Sequence, residues 1–209
     1  MLNNTHLSED EEAEALKRWW PENGTSRIAG MGIGLGLVLG WQGWSSYQTE
    51  QAEMASMEYD RLKSILQNND AAAAAIQSDT LKKDYSSTSY SFFAALDLAK
   101  KHVQVEDYVK ARSELEYAIA NAADDGLKAL AQARLARVLI ATGNNDEALA
   151  IANQNKVAAF DGDFAHIKGD VYREKGELES ARKAYAEALI SSNNSTLIEM
   201  KLNEVNTGS

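Results

Sequence analysis

The sequence predicts an all-α protein with a single N-terminal transmembrane helix followed by an α-solenoid of helix-turn-helix repeats. Three observations carry this expectation. One Pro in 209 residues, abundant Ala and Leu and few β-branched runs favour helix over strand. A single long uncharged run, Ile28 to Trp44, stands near the N-terminus. A fixed order of small, large and turn residues recurs along the C-terminal half.

In chain order, residues 1–26 form a first segment. Residues 1–7 are polar and read as disordered. Ser8 and Glu11 have capping-box spacing, and the acids from Glu9 to Glu14 fall at the positive end of a short helix running to Trp20 and ending near Pro21 and Asn23-Gly24. The acidic cluster reads as a solvated face favoured by the helix dipole, against the alternative of a cation or partner site.

Residues 27–47 read as a membrane span. At about 1.5 Å per residue, Ile28 to Trp44 reaches about 25 Å, short of the roughly 30 Å hydrocarbon core. Ser45, Ser46 and Tyr47, with Arg27 snorkelling to the headgroups, bring it to about 30 Å. Glycines at 30, 32, 34, 36, 40 and 43 make the span marginal in isolation. Trp19 and Trp20 precede the run, and Trp41, Trp44 and Tyr47 end it, as an interfacial aromatic belt would. Lys17, Arg18 and Arg27 lie before it, whereas Glu50, Glu53, Glu58 and Asp60 intervene before the next base, Arg61. The asymmetry places the N-terminus in the cytoplasm and the remainder across the membrane. A cleaved signal peptide is disfavoured by the long acidic leader and by the missing Ala-x-Ala site, and a buried soluble helix leaves the tryptophans at both ends unexplained. Gly32, Gly36 and Gly40 share one face, the small-x-x-x-small arrangement that admits another backbone, whether from a self-dimer or a larger membrane complex.

Residues 48–88 read as a helical linker. Met54, Met57, Leu62, Ile65 and Leu66 keep helical spacing up to Asn68-Asn69, and Ala71 to Ala75 opens another helix with no evident role.

The repeats occupy residues 89–209. From Gly169, the residues Tyr172, Gly176, Ala181, Tyr185 and Ala188 follow in the order large, turn, small, aromatic, small. Ala136, Leu139, Gly143, Ala148 and Ala152 keep the same register, as do Ala99, His102, Glu106, Ala111, Leu115 and Ala118, with extra residues around Asp124-Asp125-Gly126. These are tetratricopeptide steps. Two antiparallel helices approach closely only where Ala or Gly faces the partner, and a neighbouring Tyr or Leu fills the space left over. In the last unit the first helix spans 163–175 and the second 179–191, with Glu177 and Asp146 following their turn glycines at helix starts. The ankyrin period is close, but the Thr-Pro-Leu-His signature is missing. Such a stack leaves a concave surface lined by the first helix of each pair. Repeat position nominates Ala133, Arg137, His166, Asp170 and Arg173 as the candidate peptide groove.

The composition also excludes classes of function. A net charge of −10 argues against nucleic acid, and the absence of Cys removes disulfides and thiol chemistry. His6, His102 and His166 stand far apart with no metal-ligand spacing, and Asp161-Gly162-Asp163 lacks the other ligands of a calcium loop. No nucleotide loop or nucleophile elbow is present, so no enzyme, metal or cofactor is expected.

Several stretches resemble the YfgM family of bacterial inner-membrane proteins, ancillary subunits of the Sec translocon. They are Glu14-Ala15-Leu16-Lys17-Arg18-Trp19-Trp20-Pro21-Glu22-Asn23-Gly24, the anchor ending Gly40-Trp41-Gln42-Gly43-Trp44, Leu127-Lys128-Ala129 with Arg134-Leu135-Ala136-Arg137-Val138, and Gly169-Asp170-Val171-Tyr172 through Ala181-Arg182-Lys183-Ala184-Tyr185. The resemblance implies a single-pass inner-membrane protein with a periplasmic repeat domain beside the SecYEG channel. It further implies pairing with the membrane-anchored periplasmic chaperone PpiD, transfer of unfolded client proteins to periplasmic chaperones, and a link from the cytoplasmic end to envelope stress. The rival reading is an anchored repeat scaffold for another envelope assembly, in cytochrome maturation, cell-wall synthesis or division.

Overall fold

The computed structural model describes residues 9–191 and 195–207. Side chains are described at Glu14, at Lys17 and, from Ala29 onward, at every described residue but Ser195. The described residues form nine α-helices: α1 (Glu9–Gln67), α2 (Ala71–Asp84), α3 (Ser89–Gln104), α4 (Tyr108–Ala120), α5 (Asp125–Ala141), α6 (Asn145–Asn153), α7 (Asp161–Glu174), α8 (Leu178–Ser191) and α9 (Ser195–Thr207). A short 3-10 turn, Ala158–Phe160, precedes α7. Two compact units divide at Glu50: Met1–Glu50 and Gln51–Ser209.

In the first unit α1 continues through Pro21, Asn23 and Gly24, where the sequence suggests a helix end. A proline removes one hydrogen bond from the ladder, and the helix continues across it although Asn23, Gly24, Thr25 and Ser26 are weak helix formers. The Ser8–Glu11 cap, the disorder of residues 1–7 and the rings of Trp19 and Trp20 lie outside the described residues. Among the described residues no helix is long and apolar enough to cross a membrane. That departs from the expectation of a span over 27–47, and six glycines with Gln42 dilute the run enough to account for it. The segment is nevertheless bare: Met31, Ile33, Leu35, Leu37, Val38, Leu39, Trp41, Trp44 and Tyr47 are all exposed.

The second unit is a stack of helix pairs. α3–α4, α5–α6 and α7–α8 are the three repeats legible in the sequence, and each turn has the same backbone geometry. Glu106, Gly143 and Gly176 take φ of 58°, 76° and 75°. The next N–H in each case reaches back over the turn, Asp107 to the His102 carbonyl (2.9 Å), Asn144 to Leu139 (2.8 Å) and Glu177 to Tyr172 (2.8 Å). This left-handed closure satisfies a carbonyl at the helix end and reverses the chain within three residues.

A fourth pair is built the same way from the end of α1 and from α2. Asn69 takes φ 57°, and Asp70 N–H donates to the Ile65 carbonyl at 3.4 Å. The Asp70 carboxylate then accepts from Ala73 N–H, as Asp107 accepts from Lys110 N–H, so one residue closes a helix and caps the next. Leu62, Ala74 and Leu81 are fully buried with Ala55, Ala94 and Leu98. The Gln77 amide donates to the Glu58 carboxylate at 2.6 Å, and Tyr59 Oη donates to Asp97 Oδ2 at 2.7 Å. The segment read as a linker is thus packed against α3 from Gln51 onward.

Small residues set the approach of paired helices. A Cβ on Gly169 would enter the Tyr185 ring, which is fully buried across the α7–α8 seam. The last pair is closed by α9, whose Ile198 and Val205 are buried with Ala181, Tyr185 and Ala188. Polar groups seal this seam. Lys201 Nζ donates to Asp170 Oδ1 (2.6 Å) and to His166 Nε2 (2.9 Å), and Tyr185 Oη donates to the same Asp170 oxygen (2.7 Å). As acceptor from Lys201, His166 Nε2 is unprotonated and the ring neutral.

Glu106 occupies a left-handed position at a steric cost that glycine lacks. Glu106→Gly is expected to raise stability by about 0.5–1 kcal/mol, read from denaturant melts of the full chain in mild detergent. Burial pushes the His166 imidazole below its ordinary pKa; Asp170 and Asp163 oppose this, while Lys201 and Arg137 reinforce it. The folded state therefore binds fewer protons than the unfolded state below about pH 6.5, and stability falls as the pH drops through that value. The unfolding midpoint should decline between about pH 7 and 5.5, with a shallower decline in His166→Gln; equal slopes would remove His166 from the account.

Candidate functional site

The candidate groove residues lie on the first helices of the last two repeats, α5 and α7, and have different fates. Ala133 is buried in the main core beneath α5 and touches no open surface. His166 and Asp170 are consumed by the α9 seam, and Arg173 is joined to α9 by Glu204 at 3.4 Å. Arg137 is exposed on α5, its Nη2 donating to Asp163 Oδ1 of α7 at 2.8 Å. The structure therefore brings His166, Asp170 and Arg173 together under α9, leaves Arg137 on open surface and withdraws Ala133.

The open part of the groove lies one repeat earlier. α3 presents Leu96, Ala99, Lys100, Val103 and Gln104, and α5 presents Arg134, Arg137, Val138 and Ala141. Each set follows the three-and-four spacing of a single helical face. With Tyr108 and Leu115 of α4 as floor, they line an open, mainly apolar cleft of about 400 Å³. Ala99 and Ala141 contribute only methyl groups to its walls, and much of Val103 is exposed at 39%.

The rim of the cleft is basic in a chain whose net charge is −10. Arg137 is partnered by Asp163, but Lys100 and Arg134 make no hydrogen bond or ion pair with any described residue. Lys100 and Gln104 also border a second hollow of about 300 Å³ between α1 and α3, lined by Lys63, Leu66, Gln67, Asn69, Asp97 and Lys101. There the charges are largely matched: Lys63 pairs with Asp60, Lys101 donates to Asn69, and Asp97 accepts from Tyr59. The apolar cleft instead carries two cations, Lys100 and Arg134, with no partner among the described residues.

The repeat arithmetic contained this site. Thirty-seven residues before Ala133 and Arg137 stand Leu96 and Lys100, which hold the same positions in the preceding pair. Applying the register to that pair, as well as to the last two, would have found the α3 wall. Arg134 is off the groove positions by that register and became visible only once α3 and α5 faced each other across α4.

Comparison with known proteins agrees with this architecture. Residues 17–207 match a family described as a tetratricopeptide repeat-like domain. A protein of Haemophilus influenzae named an ancillary SecYEG translocon subunit is 32% identical over 201 residues, covering 95% of this chain and 98% of the relative. Proteins of the same name are 33% identical in Aggregatibacter actinomycetemcomitans, at 95% and 98% coverage, and 29% identical in Escherichia coli, at 95% and 96% coverage. No solved structure matches. On identity, coverage and repeat architecture together, the chain belongs to the family of ancillary SecYEG translocon subunits.

Proposed function

We propose that this protein is a non-enzymatic ancillary subunit of the Sec translocon, tethered at the inner membrane with its cytoplasmic end at residues 1–26 and its repeat domain in the periplasm. It binds the SecYEG channel, pairs with PpiD and helps pass translocated, still unfolded chains to periplasmic chaperones. The single observation that carries this reading is the open apolar cleft on the concave side of a repeat stack, in a chain whose relatives are named as translocon subunits. A cleft of this kind suits transient polypeptide contact and holds no catalytic constellation.

The membrane contact rests on the exposed apolar stretch from Met31 to Tyr47 and the one-sided charge around it. Its apolar content falls short of a self-sufficient span, so the segment enters the bilayer beside a protein neighbour. A Cβ placed at Gly32, Gly36 or Gly40 meets nothing within 4 Å. That face is free for a neighbouring backbone, and the segment docks there to the channel or to a second copy.

Two measurements test the proposal. A photo-reactive residue at the Gly36 position should give adducts with the channel or with PpiD during active export; no adduct with either would overturn the reading. Gly32→Leu, Gly36→Leu and Gly40→Leu combined should leave the chain in the membrane fraction while removing its membrane partners from a mild-detergent purification. Unchanged recovery by mass spectrometry would remove the glycine face as the docking surface.

A further inference from the structure

We infer that the α3–α5 cleft is a docking site for an acidic amphipathic polypeptide segment, with large apolar side chains seated in the cleft and carboxylates on Lys100 and Arg134. The inference rests on the proposed role as a binding subunit and adds to it the chemistry of the bound chain.

The argument begins with charge. Most cations of the second unit are neutralised within the fold: Arg112 by Glu116 and Glu147, Lys82 by Glu114, Lys175 by Asp146, Arg182 by Glu179 and Lys201 by Asp170. Lys100 and Arg134, like Lys83, Lys128, Lys156, Lys168 and Lys183, have no side-chain partner among the described residues, and these two flank a mainly apolar cleft. In a chain with a net charge of −10, long-range repulsion discourages an acidic partner from approaching at large. A local basic rim overcomes that repulsion only where the partner's acids meet it, and so selects the binding register as well as the ligand.

Shape narrows the class further. A volume of about 400 Å³ lies in the range of real ligand clefts, roughly 300–1,000 Å³. Its walls are two helices with matched three-and-four spacing, the geometry that receives an amphipathic helix or an extended strand through successive anchors. The free cations stand on opposite walls, Lys100 on α3 and Arg134 on α5. Carboxylates distributed along a peptide satisfy that arrangement, whereas one anionic lipid headgroup engages a single convergent cluster. Arg137, the third rim cation, is held by Asp163 and orders the α5–α7 edge of the site.

The test uses the full chain in nanodiscs of neutral lipid and three fluorescein-labelled synthetic peptides of equal length. One alternates Leu with Glu, one alternates Leu with Lys, and one alternates Ser with Glu. By fluorescence anisotropy the Leu/Glu peptide should bind on the order of ten-fold tighter than either control, with the advantage shrinking as salt is raised. Lys100→Glu combined with Arg134→Glu should reverse the order of the Leu/Glu and Leu/Lys peptides. The milder Lys100→Gln with Arg134→Gln should erase the difference between them while preserving the helical circular dichroism signal. An unchanged preference in the charge-reversed chain overturns the inference, as does recruitment to phosphatidylglycerol nanodiscs without any peptide preference. The variants are also carried through the export cross-linking. Channel adducts that persist while peptide selectivity is absent overturn the cleft assignment alone, and selectivity seen without channel adducts supports the cleft while overturning the translocon role.

Discussion

The architecture of the second unit depends on one backbone event, repeated four times: a residue in the left-handed region closes a helix, and the following N–H bonds the carbonyl five residues back. Asn69, Glu106, Gly143 and Gly176 are those residues. Because the closure fixes where the second helix of each pair leaves the first, the small residues that follow it, Ala74, Ala111, Ala148 and Ala181, all arrive fully buried against the partner helix. Close approach of the backbones then leaves the first helices of successive pairs side by side on the concave surface. The α3–α5 cleft is a consequence of this geometry, since its walls are whole helical faces and its floor, at Tyr108 and Leu115, belongs to the helix paired with α3.

Glycine is the economical residue at such a closure, and two of the four positions lack it. Asn69 is a residue type that tolerates the left-handed region, and its amide oxygen accepts from Lys101 Nζ. Glu106 has no such relief, and that strain is offset by Asp107, which both bonds back to His102 and caps α4. These departures also decided what the sequence revealed. The three units with Ala or Gly at the first position were legible, including the one turned by Glu106. The fourth was hidden because Leu62 replaces the first small residue, Asn69 the turn glycine, Ser78 the aromatic and Leu81 the last small residue. Its packing partners, Ala94 and Leu98 of α3, lie 32 and 36 residues beyond Leu62, a relation that local periodicity does not encode.

The same distinction separates the groove residues. Repeat position nominated the face of the first helices, yet three of the five nominated side chains lie beneath α9 and one is core. What closes a groove is the next helix, and α9 has no repeat signature of its own: its polar hold on α7 comes from Lys201 and Glu204, single residues with no periodic partner, added to the buried Ile198 and Val205. What opens a groove is the absence of compensating charge, which depends on every helix facing the position. Arg137 looked equivalent to Lys100 by register, but the first meets Asp163 and the second meets no partner.

Electrostatics also explains why the cleft stays accessible in a chain this acidic. Bonded pairs such as Arg112 with Glu147, 44% exposed on its carboxylate side, are solvated and individually contribute little to stability. They neutralise both bases of α4, Lys110 and Arg112, while Lys100 and Arg134 at the cleft keep uncompensated charge. A free Lys and Arg beside apolar walls cost little while water reaches them, and they gain most when an incoming carboxylate replaces that water in a partly desolvated cleft. Opposite charges on a purely polar rim would be matched by any acidic chain, and apolar walls alone by any greasy one. The combination discriminates, because a ligand lacking either element leaves the other unpaired at the moment the cleft is filled.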